Sequence, residues 1–181
     1  MKRLLLSFFL TAVIGLSCLG GTCEVDAFFS SPYVDNEIES RIVAAIDAAQ
    51  SLLLIALYSF TDDQLGAAVV SAAHRGVDVY VLLDAGQDSD SGESEYPNLL
   101  TARIPVGVEY YSGLLHHKFA VIDDTVVITG SYDWTDSADD SNFENVVFIT
   151  CEEIAADFTA EFGYMSNTLL HRGWPVAGFG G

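Results

Sequence analysis

The chain has 181 residues, half of them apolar, and carries a formal net charge of −19 at neutral pH. This length and apolar content suffice for one domain with a buried core and argue against an intrinsically disordered chain. Seven basic residues stand against 26 acidic ones, so the sequence lacks the basic stripe on which nucleic-acid binders normally depend. The acidic balance favours solubility and suits high-salt surroundings, where charge repulsion is screened.

Residues 1–22 have the pattern of a secretory signal peptide. Lys2 and Arg3 precede a 13-residue apolar run from Leu4 to Leu16, and small residues follow. A membrane-spanning helix needs about 20 apolar residues, so the run is short for a span. We therefore expect an exported protein that is secreted, periplasmic or at the cell surface. An uncleaved membrane anchor or a lipoprotein is the alternative.

The remaining sequence divides into a domain over residues 23–167 and a Gly-rich tail over residues 168–181. Cys23 and Cys151 both fall within the domain. In an exported protein they can pair as a disulfide, and two unpaired thiols are an equal expectation. The sequence contains no Cys/His cluster with zinc-ligand spacing.

Hydrophobic periodicity predicts an alternation of strands and helices in the first half of the chain. The segments are a strand at 24–30, a helix at 36–50, a strand at 51–60, a helix from a capping box at 61–64 to about residue 75, and a strand at 77–84. Strands joined by helices through short connections predict parallel crossovers. Tyr58, Ser59 and Phe60 end the second strand, where they either line a pocket or are simply buried.

A polar, acidic loop over residues 85–98 opens the second half of the chain. The segments that follow are a short helix or turn at 99–103, a strand at 108–111, a hairpin of strands at 115–122 and 125–129, a strand at 145–150 and an amphipathic helix at 152–165. The whole pattern predicts an α/β fold with a mixed, largely parallel β-sheet flanked by helices on both faces.

The hairpin carries the residues that indicate chemistry. His116, Lys118 and Asp123 stand at H-x-K-x4-D spacing, and Lys118 is the only lysine after residue 2. Alternation along a strand places His116 and Lys118 on one face and His117 on the other. An ammonium group can hold the non-bridging oxygens of a phosphate while a histidine attacks the phosphorus atom. We therefore predict a phosphate site with a covalent step.

Three further residues complete the expected site. Gly130 and Ser131 lie on the neighbouring strand, and their backbone and hydroxyl donors are expected to bind the phosphate and stabilise its developing charge. A carboxylate on the far nitrogen of the histidine would fix its tautomer. Glu144, one residue before the last strand, is the candidate for that role.

The segments 115–123, 128–135 and 144–147 together resemble the phospholipase D superfamily and its HKD motif. The likeness is strongest to small members with a single motif, namely exported bacterial endonucleases and the Zucchini/mitochondrial cardiolipin hydrolase type. The resemblance implies a phospholipase D-like sandwich fold, with His116 as the nucleophile that forms a phosphohistidine. It also implies that Lys118 and Ser131 bind phosphate, that Glu144 orients the histidine, and that Asp123 is the motif's structural position.

The resemblance further implies that the enzyme uses no metal and no other cofactor. A single motif per chain implies a homodimer with the active site at the two-fold interface, where the second copy of His116 protonates the leaving group. The segment 85–98 contains no Cys or His, so we predict no zinc site there.

One position departs from the family pattern, since Asp133 stands where the family usually has asparagine. An ionised Asp133 would repel the substrate phosphate, whereas a protonated one could donate a hydrogen bond to it. We therefore expect Asp133→Asn to retain or raise activity at neutral pH.

The leading functional hypothesis is a phospholipase D-type phosphodiesterase that hydrolyses phospholipids. The alternative is a metal-independent endonuclease that acts on DNA or RNA with the same site, which the strong negative charge disfavours. A third hypothesis, supported by Asp133 alone, is an inactive binding protein on this fold.

Overall fold

The protein is described here from a computed structural model, which covers residues 23–33, 37–88, 94–109 and 113–170. The predicted signal peptide over 1–22 and most of the predicted tail lie outside the described residues. The last helix continues to Leu170, three residues beyond the expected end of the domain. Within the described part of the chain, no helix combines the length and apolar character that a membrane crossing requires.

The described residues form seven strands and five α-helices, which alternate up to β4 and again after β6. The strands are β1 (Glu24–Ser30), β2 (Leu52–Leu57), β3 (Asp78–Asp84), β4 (Val106–Glu109), β5 (Lys118–Ile122), β6 (Val126–Gly130) and β7 (Glu144–Thr150). The helices are α1 (Ile38–Ala48), α2 (Asp63–Arg75), α3 (Tyr96–Thr101), α4 (Asp136–Asp140) and α5 (Glu152–Leu170), and a short 3-10 turn covers Ala85–Asp88. Each predicted strand and helix is present, with ends that differ by a few residues, and α4 was not predicted. The segment predicted as a loop at 85–98 holds the 3-10 turn and the start of α3. Residues 89–93 of that loop and 110–111 of the strand predicted at 108–111 lie outside the described residues.

The strands form one sheet in the order β1-β7-β6-β5-β2-β3-β4. The β2–β3 and β3–β4 pairs are parallel, as the helical crossovers predicted. The other four pairs are antiparallel, so the α/β class is confirmed but the expectation of a largely parallel sheet is wrong. The reason is that β5 enters the sheet beside β2 in the reverse direction, and the connections after it return the chain without a crossover.

The sheet separates two apolar cores, and helices cover both of its faces. On β2, Leu53, Ile55 and Leu57 join the core beneath α1, α2 and α3, whereas Leu54 and Ala56 join the core beneath α5. Alternate residues of a strand point to opposite faces, so a strand between two cores must be apolar at nearly every position. This is why the continuous run at 51–60 was a reliable strand signal.

The hairpin between β5 and β6 turns at Asp123 and Asp124, whose φ values are +50° and +52°. Positive φ at both central residues defines the tight turn that matches the twist of a hairpin, and Asp tolerates this conformation better than most residues. The turn brings β6 back along β5, so that Lys118 at the start of β5 and Gly130 at the end of β6 lie at one edge of the sheet.

Cys23 and Cys151 form a disulfide across 128 residues, with their Cα atoms 4.7 Å apart. The pairing follows from the sheet, because β1 runs antiparallel to β7 and Glu24 lies opposite Thr150. The structure therefore selects the disulfide from the two alternatives that the sequence left open.

Candidate active site

The site lies at the sheet edge where β1, β2 and β6 end and where β5 and β7 begin. Lys118 at the start of β5 pairs with Leu57 at the end of β2, and Gly130 at the end of β6 pairs with Val146 near the start of β7. His116 precedes β5 and is exposed. The fold thus brings most of the predicted site residues to one edge, although they span nearly 30 positions of sequence.

His116 and Lys118 contact the same tyrosine. The Tyr58 ring centroid lies 4.9 Å from the His116 ring centroid and 4.8 Å from Lys118 Nζ. Lys118 Nζ also donates to the His116 carbonyl oxygen at 3.4 Å, and the lysine side chain is only 9% exposed. A largely buried lysine side chain and an accessible imidazole therefore contact the same aromatic ring.

From the sequence, Tyr58 was expected either to line a pocket or to be buried. Its position directly after an apolar strand was the available signal, and the structure places its ring in contact with both the histidine and the lysine.

His117 is directed away from this edge, as strand alternation predicted. Its Nε2 atom lies 3.6 Å from a Glu161 carboxylate oxygen on α5, and its ring meets Phe119 edge-on with centroids 5.4 Å apart. Neighbouring histidines thus occupy different environments, which makes His117 a matched control for substitutions of His116.

Asp133 lies against the lysine. Its Oδ2 atom is 3.4 Å from Lys118 Nζ, and its Oδ1 atom accepts the Ser59 N–H at 3.0 Å. Burial raises the pKa of the Asp133 carboxyl above its usual range, and the charge of Lys118 and the Ser59 hydrogen bond offset only part of that increase. Asp133 thus lies beside the lysine of the predicted phosphate site, and its contact with substrate stays a prediction.

Glu144 and Ser131 form a separate polar cluster at the same edge. The Ser131 hydroxyl donates to Glu144 Oε2, and Asn142 Nδ2 donates to Glu144 Oε1 at 3.0 Å. Asn145 donates twice to the Ser131 oxygen, from its backbone N–H and from Nδ2, each at 3.1 Å. The two asparagines were missed from the sequence, although both lie within two residues of Glu144.

The expected hydrogen bond between Glu144 and His116 is not among the contacts of the described residues. Glu144 begins β7, which is separated by β6 from the strand that follows His116. Neighbouring strands lie about 4.8 Å apart, so the two side chains start roughly 10 Å from each other. In the single chain the carboxylate therefore binds Ser131 and Asn142, and its role in orienting His116 stays a prediction.

Gly130 allows β6 to approach β7 closely. A Cβ atom at this position would collide with the Asn145 carbonyl oxygen on β7. The Ser131 N–H donates to that same oxygen at 3.0 Å. The Ser131 backbone donor expected to bind phosphate is therefore already used within the sheet, which leaves the Ser131 hydroxyl as the group of this pair that faces the site.

Asp123 lies at the opposite end of β5 from Lys118. Its carboxylate accepts hydrogen bonds from Gln50 N, Ser51 N, Ser51 Oγ and Leu52 N at 2.7–3.0 Å. Partial burial raises its pKa, but these bonds, from Leu52, Gln50 and Ser51, lower the pKa overall. Asp123 thus ties the hairpin turn to the start of β2, in agreement with a structural role.

Among the described residues, the group with enough close ligand atoms for a metal is Cys23, Cys151 and Glu153. The two cysteines of that group are disulfide-bonded and do not offer thiolate ligands.

The sheet topology, the two helical layers and the HKD motif, with His116 and Lys118 at the site and Asp123 at the far end of β5, define a phospholipase D-like domain. Residues 42–166 match the family described as "Cardiolipin synthase, PLD-like domain", and the chain belongs to this family.

Curated relatives share this domain. The chain is 38% identical over 133 residues to the mitochondrial cardiolipin hydrolase of Mus musculus, a match that covers 74% of this chain and 59% of that protein. It is 35% identical over 117 residues to the phospholipase D of Rickettsia prowazekii, covering 65% of this chain and 57% of that protein. The chain thus spans little more than half the length of these relatives.

Solved structures confirm the fold. The phospholipase D family member Nuc from Salmonella typhimurium superimposes with a TM-score of 0.71 at 26% identity, covering 81% of this chain and 95% of that chain. NucT from Helicobacter pylori also gives a TM-score of 0.71, at 23% identity, covering 83% of this chain and 97% of that chain.

Proposed function

We propose that the protein is a phospholipase D-type phosphodiesterase that hydrolyses phosphodiester bonds of phospholipids through a phosphohistidine intermediate on His116. The observation that carries this proposal is the pairing of His116 with Lys118 across Tyr58 at an open sheet edge. The family membership and the curated relatives named cardiolipin hydrolase and phospholipase D support the same reaction class.

The reaction takes place in two displacements. A nitrogen of His116 attacks phosphorus, the N–P bond forms, and the P–O bond to the departing alcohol breaks. Water then attacks the phosphohistidine, the N–P bond breaks, and the phosphate product leaves with the water oxygen. Lys118 holds the non-bridging oxygens, and the Ser131 hydroxyl at the same edge binds one of them once it gives up its hydrogen bond to Glu144.

The departing alkoxide needs a proton, and the second copy of His116 in a homodimer is the proposed donor. It regains that proton from the attacking water in the second step, so the protons balance. Each chain has one such motif, which is why the site is complete only in the dimer.

An exposed apolar surface beside the site supports the dimer. Phe29, near the end of the outer strand β1 that reaches the site, is 71% exposed. Phe143, which directly precedes Glu144, is 73% exposed and meets the Tyr33 ring at a tilt of 60°, with ring centroids 6.1 Å apart. Apolar patches of this kind normally mark an interaction surface, and its continuity with the active site fits a second copy of the chain.

The disulfide supports export. Bonds between cysteines persist in the periplasm and outside the cell, whereas the cytosol keeps thiols reduced. Cys23 lies directly after the proposed signal peptide, so cleavage before it leaves the Cys23–Cys151 bond intact.

The charge of the chain supports a lipid or small diester over a nucleic acid. A net charge of −19 repels a polyanion, and the motif lysine already faces a carboxylate. A zwitterionic lipid such as phosphatidylcholine presents a phosphate to His116 without a long-range electrostatic penalty.

The proposal is tested by offering the purified exported protein a phosphatidylcholine dispersion and, separately, single-stranded DNA. Both assays contain EDTA and are run at low and high salt, with His116→Asn as the inactive variant and His117→Asn as the matched control. We expect choline release by the unmodified protein and by His117→Asn, and none by His116→Asn. Cleavage of DNA alone would assign the site to a nuclease, and no product in either assay would favour an inactive binding protein.

A further inference from the structure

The lysine of the motif already has an anion beside it. Lys118 Nζ lies 3.4 Å from Asp133 Oδ2, and the two side chains are 9% and 23% exposed. A phosphate oxygen bound at this ammonium group would therefore come within a few ångströms of a carboxylate. Two like charges at that separation in a partly buried site repel each other strongly.

Asp133 is fixed in this position and is not a mobile surface side chain. Its Oδ1 atom accepts the Ser59 N–H at 3.0 Å, and its backbone carbonyl accepts the Thr135 N–H at 2.9 Å. If a phosphate displaced the carboxylate from Lys118, Asp133 would consequently lose its hydrogen bond from the Ser59 N–H.

Among the described residues, the charged or titratable side chains that act most on the Asp133 carboxyl are Lys118 of β5 and His116 of the preceding segment. Tyr58, directly after β2, contacts the same lysine. The nearby carboxylates are directed elsewhere. Asp84 at the end of β3 accepts the Leu115 N–H at 2.9 Å, and Glu144 of β7 is bound by Ser131 and Asn142.

We propose that Asp133 is a built-in competitor for the phosphate at Lys118, so that a phosphodiester binds at neutral pH together with the uptake of one proton by Asp133. The inference rests on the proposed function, since it concerns the same phosphate site. The proton comes from solvent and resides on Oδ2, which then donates a hydrogen bond to a phosphate oxygen while Oδ1 keeps the Ser59 N–H. Asp133 thereby contacts the substrate directly and is a binding residue of the phosphate site.

The direction of the linkage follows from the state of the carboxyl before binding. Burial already raises the pKa of Asp133, and a phosphate anion that takes over Lys118 raises it further. Between the pKa of the free site and that of the occupied site, affinity falls about tenfold for each pH unit of increase. Below the lower value Asp133 is neutral in both states, and affinity no longer depends on its titration.

The test measures binding of dimethyl phosphate, a diester whose single charge does not change between pH 5 and 8. His116→Asn is the background for every measurement, because it removes the titration of the histidine. Calorimetry in two buffers with different ionisation enthalpies gives the number of protons taken up. The comparison is His116→Asn against His116→Asn/Asp133→Asn, and a second neutral variant, His116→Asn/Asp133→Ser, guards against a folding defect in the first.

We expect uptake of about one proton at pH 7 in the single variant, with affinity falling about tenfold per pH unit. Both Asp133 variants should take up close to none, bind with little pH dependence, and bind at least tenfold more tightly at pH 8. Equal proton uptake and equal pH slopes with and without Asp133 would overturn the inference, and so would a lack of binding by all variants.

The proposed function is judged separately by turnover. With His116 intact, Asp133→Asn should remove the increase of KM with pH. Turnover by the unmodified protein with an unchanged KM profile in Asp133→Asn refutes the inference and leaves the proposed function standing. An absence of turnover in both, despite the expected binding result, refutes the proposed function alone.

Discussion

Replacing Asp123 by asparagine tests whether the aspartate of the motif is an anchor for the fold or part of the chemistry. The carboxylate accepts four hydrogen bonds at 2.7–3.0 Å from the segment between α1 and β2. Asparagine has nearly the same shape and tolerates the positive φ of +50° at this position. The substitution therefore removes the charge and one acceptor oxygen without adding backbone strain.

The expected loss of stability follows from those bonds. A hydrogen bond to a charged group contributes about 1.5–3 kcal/mol, and an unpaired N–H that water can reach costs less than a buried one. Ser51 and Gln50 are exposed, so water can replace the hydrogen bonds that Asp123 accepts from them. The Leu52 N–H is partly buried, so its hydrogen bond is replaced less easily. We expect Asp123→Asn to lower the free energy of unfolding by about 2–3 kcal/mol, which for this chain length lowers Tm by roughly 4–12 °C.

The measurement is urea unfolding of the disulfide-bonded protein at pH 7, with Asp124→Asn as the matched control. Asp124 has φ of +52° in the same turn but is exposed, and its carboxylate accepts one hydrogen bond from Thr159 at 3.2 Å, so its loss should cost under about 1 kcal/mol. The catalytic edge should remain intact in both variants at temperatures where they are folded. Unchanged stability with abolished turnover would place Asp123 in the chemistry and refute this reasoning.

The loss of stability caused by Asp123→Asn should depend on pH. The pKa of Asp123 is lower in the folded than in the unfolded protein, so its stabilisation is complete above the unfolded value of about 3.9 and is lost as pH falls through the folded pKa. The stability difference between the unmodified protein and Asp123→Asn should therefore be constant from pH 7 to about pH 5 and shrink below pH 4.

Two further substitutions test the packing and the covalent link. Gly130→Ala should destabilise the protein by about 2–3 kcal/mol, because the new methyl group meets the Asn145 backbone. Gly163→Ala, with open space around it in α5, should stabilise the protein by about 0.5–1 kcal/mol. Equal effects of the two substitutions in urea unfolding would contradict the close approach of β6 and β7. Replacing Cys23 and Cys151 by alanine should lower stability by about 4–5 kcal/mol, since the bond closes a loop across 128 residues; an unmodified protein that unfolds at the same urea concentration with and without reductant would exclude the disulfide.

Local signals made most of the fold accessible from the sequence. The run at 51–60 and the capping box at 61–64 predicted β2 and α2, and Asp62 indeed accepts the Leu65 N–H at the start of α2. The direction of β5 was not accessible in this way. Its antiparallel pairing with β2 joins residues more than 60 positions apart. No local sequence pattern predicts on which side of the parallel strands β2 and β3 a later strand will pair.

The candidate site likewise contains residues that the sequence predicted and contacts that it did not. The placement of His116 beside Lys118 was predictable because residues two positions apart in extended chain share a face, and Asp123 was predictable from the spacing of the motif. The partners of Glu144 were not, because they depend on the order of β5, β6 and β7 in the sheet and on two asparagines with no pattern of their own. The contact of Asp133 with Lys118 depends on the loop after β6 and was visible in the sequence only as a departure from the family pattern.

Trapping the covalent intermediate tests the central claim most directly. The purified protein is mixed with a phosphodiester substrate in EDTA, quenched in alkali, in which phosphohistidine survives, and digested for peptide mass spectrometry. We predict a phosphate-linked adduct on His116, its presence in His117→Asn and its absence in His116→Asn, whose turnover is also lost. Sustained turnover by His116→Asn, or turnover by the unmodified protein with an adduct on a residue other than His116, would contradict the account.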